Sequence, residues 1–229
     1  MRRRETKRET AVALLLAGSL ALASCGGGGS KGSSASKGGT GATGSGKCAT
    51  ASTPSPRRVR KQAKPTLSLA KARKYDVTLE TNCGTFTIAL DPRQAPRTGG
   101  SFLSLVRKRF YNGLTFHRIV PGFVIQGGDP RGNGTGGPGY TIRERPPADV
   151  VYSEGVVAMA KTGAEPAGTS GSQFFVVTSN NAQLPPDYAL LGRVTKGLDV
   201  VHRIEAVPTG AGEAPTQPIV INRVTVKVS

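Results

Sequence analysis

From residue 75 to the C-terminus the chain breaks into short segments of alternating apolar and polar residues, each closed off by Gly, Pro, Asn or Asp. "YDVTLETNCGTFTIAL" reads as two strands, with Asn82 to Gly84 as the turn between them. "DPRQAPRTGGSFLSLVRKRFYNG" opens on proline signals, then sets Phe102, Leu103, Leu105 and Val106 at helical spacing and stops at Asn112-Gly113. "LTFHRIVPGFVIQGG" gives two strands around a Pro-Gly turn, and the long loop "DPRGNGTGGPGYTIRERPPADV" follows. Further strands are read in "GVVAMAKTG", "GSQFFVVTS" and "YALLGRV", then a short helix in "TKGLDVVHRIEAV" and a last strand in "VINRVTVKV". About eight short strands and two helices exclude a βαβ array and predict a mostly β, closed antiparallel barrel. The Gly-rich loop 132–139 follows a strand but opens no helix, so it is not read as a phosphate-binding loop.

Upstream the composition changes. "MRRRETKRET" is a basic opening, and "AVALLLAGSLALAS" is an apolar run of 14 residues, short for a membrane span. The run ends in "LASC" at Leu22 to Cys25, ahead of "GGGGS". Small residues before a cysteine there resemble the processing site of bacterial lipoproteins. Residues 1–24 are therefore read as a signal peptide and Cys25 as the lipidated first residue, with an ordinary secretory signal or an uncleaved anchor as the alternatives. This reading expects an extracytoplasmic protein, lipid-anchored to a bacterial cell membrane. Residues 25–74, Gly/Ser-rich and then basic, bury too little apolar area to offset chain entropy and are expected to be a flexible, disordered tether.

The formal net charge of +17 raises the question of nucleic acid, and its position answers it. Residues 26–75 hold eleven Lys/Arg and no acid, whereas from Asp76 onward fifteen basic residues face twelve acidic ones. The excess belongs to the tether, which disfavours a nucleic-acid-binding fold. With Cys25 lipidated, Cys48 and Cys83 remain as a pair in an oxidising compartment. Two readings stay open for them: a disulfide pinning the tail to the domain, or two unrelated thiols. No metal-ligand spacing is present in the sequence.

Three polar residues, Arg118, Gln126 and Gln173, sit inside apolar strand-like segments beside Phe116, Phe123, Phe174 and Phe175. An arginine is costly to bury unpaired. Arg118 must therefore pair with an internal acid, such as Asp129 or Glu154, or lie open on the floor of a groove. A groove with an aromatic-aliphatic pocket, one guanidinium and two primary amides suits a peptide carrying a ring-shaped apolar side chain.

"FHRIVPGFVIQGGDP", "GNGTGGPGY", "GVVAMAKTG", "GSQFFVVT" and "YALLGRV", in this order, resemble the cyclophilin family of peptidyl-prolyl cis-trans isomerases. The resemblance covers a domain at about residues 75–229 and implies an eight-stranded antiparallel β-barrel capped by two α-helices. It implies catalytic roles for Arg118, Phe123 and Gln126. Substrate contacts are implied for His117, Val124, Ala160, Lys161, Gln173, Phe175, Leu184 and Tyr188, with Phe123, Val124, Phe175, Leu184 and Tyr188 walling a proline pocket. The chemistry needs no cofactor or metal. The implied partners are proline-containing unfolded or exported polypeptides, handled by a monomer; the alternative is a peptide-binding holdase whose isomerase activity is incidental. Three positions depart from the family pattern: Lys161 where an asparagine is usual, Gln183 where many eukaryotic members have tryptophan, and Tyr188 where they have histidine. These put sequence preference and drug binding in doubt, but not activity.

Overall fold

The computed structural model describes residues 46–57 and 61–229, so the expected signal peptide and Cys25 lie outside the described residues. The alternating segments form strands β1 (Tyr75–Thr81), β2 (Gly84–Leu90), β3 (Thr115–Val120) and β4 (Val124–Asp129), then the two-residue β5 (Ile142–Arg143). β6 (Val156–Met159), the two-residue β7 (Thr169–Ser170), β8 (Phe174–Val177), β9 (Leu190–Lys196) and β10 (Ile221–Val228) complete the set. Helices α1 (Pro96–Arg107) and α2 (Leu198–Glu205) stand where the helical spacing predicts them.

Eight strands pair antiparallel in the order β10-β1-β2-β9-β6-β8-β4-β3, while β5 and β7 pair separately. This corrects the expected closed barrel, because the eight-stranded sheet curls but stays open. Its edge strands β3 and β10 approach only at one end, through the Thr115–Val220 bridge and the Phe116 N–H to Ile219 C=O bond of 2.9 Å. Register shifts on either side of Phe116 bend β3. Beyond them its neighbour is the turn Ala211–Glu213 instead of a strand. Arg118 thus lies on an edge strand, beside the gap.

The period-two alternation sorts side chains to two faces. On one face Phe86, Phe102, Tyr111, Phe116 and Phe174 build the main core with α1 and α2, largely through edge-on or tilted ring contacts. On the other, Val124, Tyr152, Ala158, Phe175, Val177 and Leu190 form a smaller cluster. α1 starts with Pro96 and has no cap of its own; the Glu144 carboxylate accepts from the Arg97 and Thr98 N–H groups at 3.1 and 2.6 Å.

Residues 46–57 and 61–74 carry no helix or strand, yet they run along the domain as a strap. Cys48 is disulfide-bonded to Cys83, and Ala49 and Asn82 exchange two hydrogen bonds, Ala49 N–H to Asn82 C=O at 2.8 Å and Asn82 Nδ2 to Ala49 C=O at 2.7 Å. Arg57 donates to the Asn112 carbonyl, Gln62 N–H reaches Pro138 C=O at 2.8 Å, and Leu69 N–H reaches Pro96 C=O at 2.9 Å. Leu69 is buried against α1. Gly99 and Gly100 make that passage possible. A Cβ on Gly100 would stand 2.1 Å from the Leu67 carbonyl oxygen, and one on Gly99 2.4 Å from Leu69 Cδ1. Two glycines inside a helix cost about 1 kcal/mol each relative to alanine. The close approach of the strap is what they permit.

Candidate active site

Strand register assembles the site. Arg118 faces Gln126 across β3/β4, Gln126 faces Phe175 across β4/β8, and Phe175 faces Ala158 across β8/β6. One row of side chains therefore crosses four strands, while the adjoining Ile119, Ile125 and Phe174 turn into the main core. The row opens into a cavity of about 130 Å³, walled by Phe123, Val124, Phe175, Leu184 and Tyr188 and completed by Arg118, Gln126, Ala160 and Lys161. That is several times the roughly 30 Å³ share of a liquid water.

The aromatic wall is fixed from behind. Tyr188 meets Phe175 edge-on at 5.4 Å and Tyr152 at 6.1 Å. The Tyr152 hydroxyl donates to the Tyr188 carbonyl at 2.6 Å and accepts from the Tyr188 N–H at 3.2 Å. Burial pushes the Tyr152 hydroxyl up to about 12, so it remains a donor at any physiological pH. Lys161 Nζ lies 5.5 Å from the Tyr188 ring centre and donates to the Glu165 carbonyl at 3.1 Å.

A polar chain runs along the floor. Gln173 Nε2 donates to the Gly134 and Gly136 carbonyls, both at 2.9 Å, and its Oε1 accepts from Gln126 Nε2 at 3.0 Å. Gln126 Oε1 in turn accepts from Arg118 Nη1 at 3.3 Å. The loop supplying those carbonyls is folded around Asp129, whose buried carboxylate accepts from the N–H groups of Arg131, Asn133 and Gly134. Asp129 is therefore engaged with the loop. Arg118 Nε donates instead to Glu213 at 2.6 Å, and Glu154 pairs with His202. The acids considered from sequence as partners for Arg118 have other roles.

Nine of the eleven predicted catalytic and substrate-contacting residues ring the small cavity. Gln173 lies in an adjoining groove of about 900 Å³ that shares Gln126, Ala160 and Lys161 with it. His117 lies outside both. Its ring nitrogens are buried, and burial lowers its pKa against the opposing charge of Asp129, favouring neutral imidazole. Gln183 is exposed, with a positive φ of 51°, and does not line the cavity. Sequence reasoning missed Glu213 and Lys61, the latter a strap residue lining the larger groove. Neither stands in a patterned segment: Glu213 sits in "GAGEAP" and Lys61 in "RVRKQAK". A separate cleft of about 730 Å³, between residues 71–76 and Arg193, shares none of the site residues. Among the described residues, no group of three or more His, Cys, Asp and Glu is arranged to hold a metal ion.

Comparison with known proteins shows the family to which this fold belongs. The pattern of the family described as cyclophilin type peptidyl-prolyl cis-trans isomerase/CLD matches residues 76–226. A peptidyl-prolyl cis-trans isomerase of Arabidopsis thaliana is 36% identical over 155 residues, covering 66% of this chain and 93% of that protein. Isomerase B of Streptomyces anulatus is 38% identical over 169 residues, covering 66% and 95%. The crystal structure of a Cryptosporidium parvum cyclophilin type peptidyl-prolyl cis-trans isomerase superposes with a TM-score of 0.63 at 32% identity, covering 67% of this chain and 98% of that one. The chain belongs to the cyclophilin-type peptidyl-prolyl cis-trans isomerase family, whose members are enzymes that interconvert the two forms of the X-Pro bond.

Proposed function

We propose that this isomerase acts on X-Pro bonds of exported polypeptides and that Arg118 stabilises the twisted amide. A peptide bond resists rotation by about 18–20 kcal/mol because the nitrogen lone pair is delocalised into the carbonyl. Unaided X-Pro bonds exchange in tens to hundreds of seconds. At the twisted transition state the lone pair is localised on the prolyl nitrogen, where a guanidinium N–H can donate to it. The planar ground state offers no such acceptor, so the interaction favours the transition state selectively. Each ~1.4 kcal/mol of that difference is about tenfold in rate.

The observation that carries the reading is the orientation of Arg118. Its Nε is held by Glu213 and its Nη1 by Gln126, and its guanidinium lines a cavity walled by Phe123, Val124, Phe175, Leu184 and Tyr188. The proline ring fills the space between Phe123, Phe175, Leu184 and Tyr188, and the polypeptide continues into the groove beside Gln126 and Gln173. NMR exchange spectroscopy on a short X-Pro peptide tests this. The purified protein should accelerate cis-trans exchange catalytically, and an unchanged exchange rate would contradict it.

The same reading places the enzyme outside the cytoplasm as a monomer on a lipid anchor at Cys25. The supports are "LASC" after the 14-residue apolar run and a paired Cys48–Cys83 that suits an oxidising compartment. A diacylglyceryl group would supply the two chains that stable anchoring requires. Cys25→Ser should release the protein from membranes or leave an unprocessed precursor; unchanged fractionation and mass would contradict the anchor.

A further inference from the structure

The acid that meets Arg118 comes from outside the strands. Glu213 stands on the loop between α2 and β10, at the end of the turn Ala211–Glu213. That loop is tied at its base by the Thr209–Pro215 bridge, the Gly210 N–H to Ala214 C=O bond of 2.8 Å and the Thr216 N–H to Pro208 C=O bond of 2.8 Å. Gly212 and Glu213 follow one another with φ of 67° and 61°. A side chain rarely occupies this left-handed region, so the loop holds Glu213 in an unfavourable backbone conformation. The Arg118 and Glu213 side chains remain 35% and 46% exposed, so the pair adds little to folding stability. Its effect falls on the guanidinium.

We infer that Glu213 is a positioning residue for Arg118, fixing the plane of the guanidinium so that its remaining N–H groups face the proline pocket. The inference rests on the proposed role of Arg118 at the twisted amide. A planar guanidinium anchored at one nitrogen can still turn about its side-chain bonds, whereas anchoring at Nε and Nη1 together fixes it. The Nη1 bond to Gln126 is long at 3.3 Å, and the Nε bond to Glu213 is short at 2.6 Å. Glu213 is therefore the stronger of the two restraints. Without it, the arginine must be oriented afresh in each transition state, which lowers turnover more than peptide binding. Restraint of this kind needs an acceptor oxygen, so a glutamine supplies most of it.

The test measures kcat and KM on an X-Pro peptide for the full chain and for Glu213→Ala, Glu213→Gln and Arg118→Ala, with the Arg118 Nε–H resonance recorded by NMR. Glu213→Ala should lower kcat about three- to tenfold with KM within about twofold, and the Nε–H signal should exchange with water faster. Glu213→Gln should recover most of the lost turnover and the slow exchange. Native kcat in Glu213→Ala beside an inactive Arg118→Ala overturns the inference alone, as does a Glu213→Gln no better than Glu213→Ala. A folded Arg118→Ala with near-native kcat overturns both the inference and the role of Arg118 on which it stands.

Discussion

The strap and the pocket are fastened to the same sheet by different physics. Four pocket residues, Arg118, Val124, Gln126 and Phe175, lie on paired strands, and backbone register places Arg118, Gln126 and Phe175 in one row with Ala158. The strap has no strand partner. A disulfide, scattered backbone hydrogen bonds and the space above two helix glycines hold it, and it buries little beyond Cys48 and Leu69. Periodic pairing organises chemistry, whereas point attachments add stability and shape without building a reacting centre. Perturbing the pocket should therefore change rate at constant stability, and perturbing the strap should do the reverse.

The largest separation is expected at Arg118. Arg118→Ala should lower kcat/KM roughly a hundredfold or more, about 3 kcal/mol, while peptide affinity and melting temperature stay near native because its polar contacts are a half-exposed surface pair with Glu213 and one long hydrogen bond to Gln126. Arg118→Lys should recover little, since an ammonium lacks the planar fork that two anchors hold. Replacing Cys48 and Cys83 together by alanine should cost about 2–4 kcal/mol in a denaturant titration, because the bridge closes a loop of sequence separation 35. Peptide kinetics on the same variant should remain close to native.

Gly100→Ala sharpens the comparison by a change of sign. In the full chain the new Cβ meets the Leu67 backbone, so the strap must lift, and a net loss of roughly 1–2 kcal/mol is expected despite the better helix former. In a chain starting at residue 75, the same substitution should stabilise by about 1 kcal/mol. Equal effects in the two backgrounds would mean that the strap does not rest on α1.

The smallest effect concerns the far side of the pocket turn. His202 lies 3.0 Å from both Glu154 and Glu205, and Glu205 also accepts from the Gly122 N–H at 2.7 Å, beside Phe123. The hydrogen bond to Glu205, with the nearby acidic charges, raises the His202 pKa against partial burial. A raised folded-state pKa means that the contribution is fully present below the unfolded value near 6.5 and fades as pH climbs through the folded value. The group is largely exposed, so a few tenths of a kcal/mol are expected. The melting temperature of the native protein should exceed that of His202→Gln most clearly near pH 5, with the gap closing above neutrality. A gap that widens with pH would reverse this assignment.

What could be read from sequence follows the same division. Helical spacing located both helices and alternation the main strands, because both periods are written in adjacent positions, whereas the grouping of Arg118, Phe123, Gln126, Phe175 and Tyr188 came from the resemblance of the motifs to the family. The open edge between β3 and β10 was not legible, since it depends on bulges around Phe116 and on which loop arrives beside Arg118. Glu213 belongs to a Gly/Ala run with no period, and it meets Arg118 across a separation of 95 residues. The described part of the expected tether has a composition that buries little, so its attachments to Asn82, Pro138 and Pro96 leave no pattern in it. Their trace lay in α1, in the helix-weakening pair Gly99-Gly100. His117, next to Arg118 in sequence, fell outside the cavity because it sits in the register shift between Phe116 and Arg118, where the regular alternation is interrupted.

The most direct test of the division between strap and pocket measures cis-trans exchange of one X-Pro peptide and thermal unfolding on the same samples of native protein, Arg118→Ala and the Cys48→Ala/Cys83→Ala double variant. Loss of catalysis at native melting temperature in the first variant, and loss of melting temperature with near-native catalysis in the second, is the predicted result. A well-folded Arg118→Ala that exchanges the peptide at close to the native rate would contradict the assignment of the reaction to Arg118.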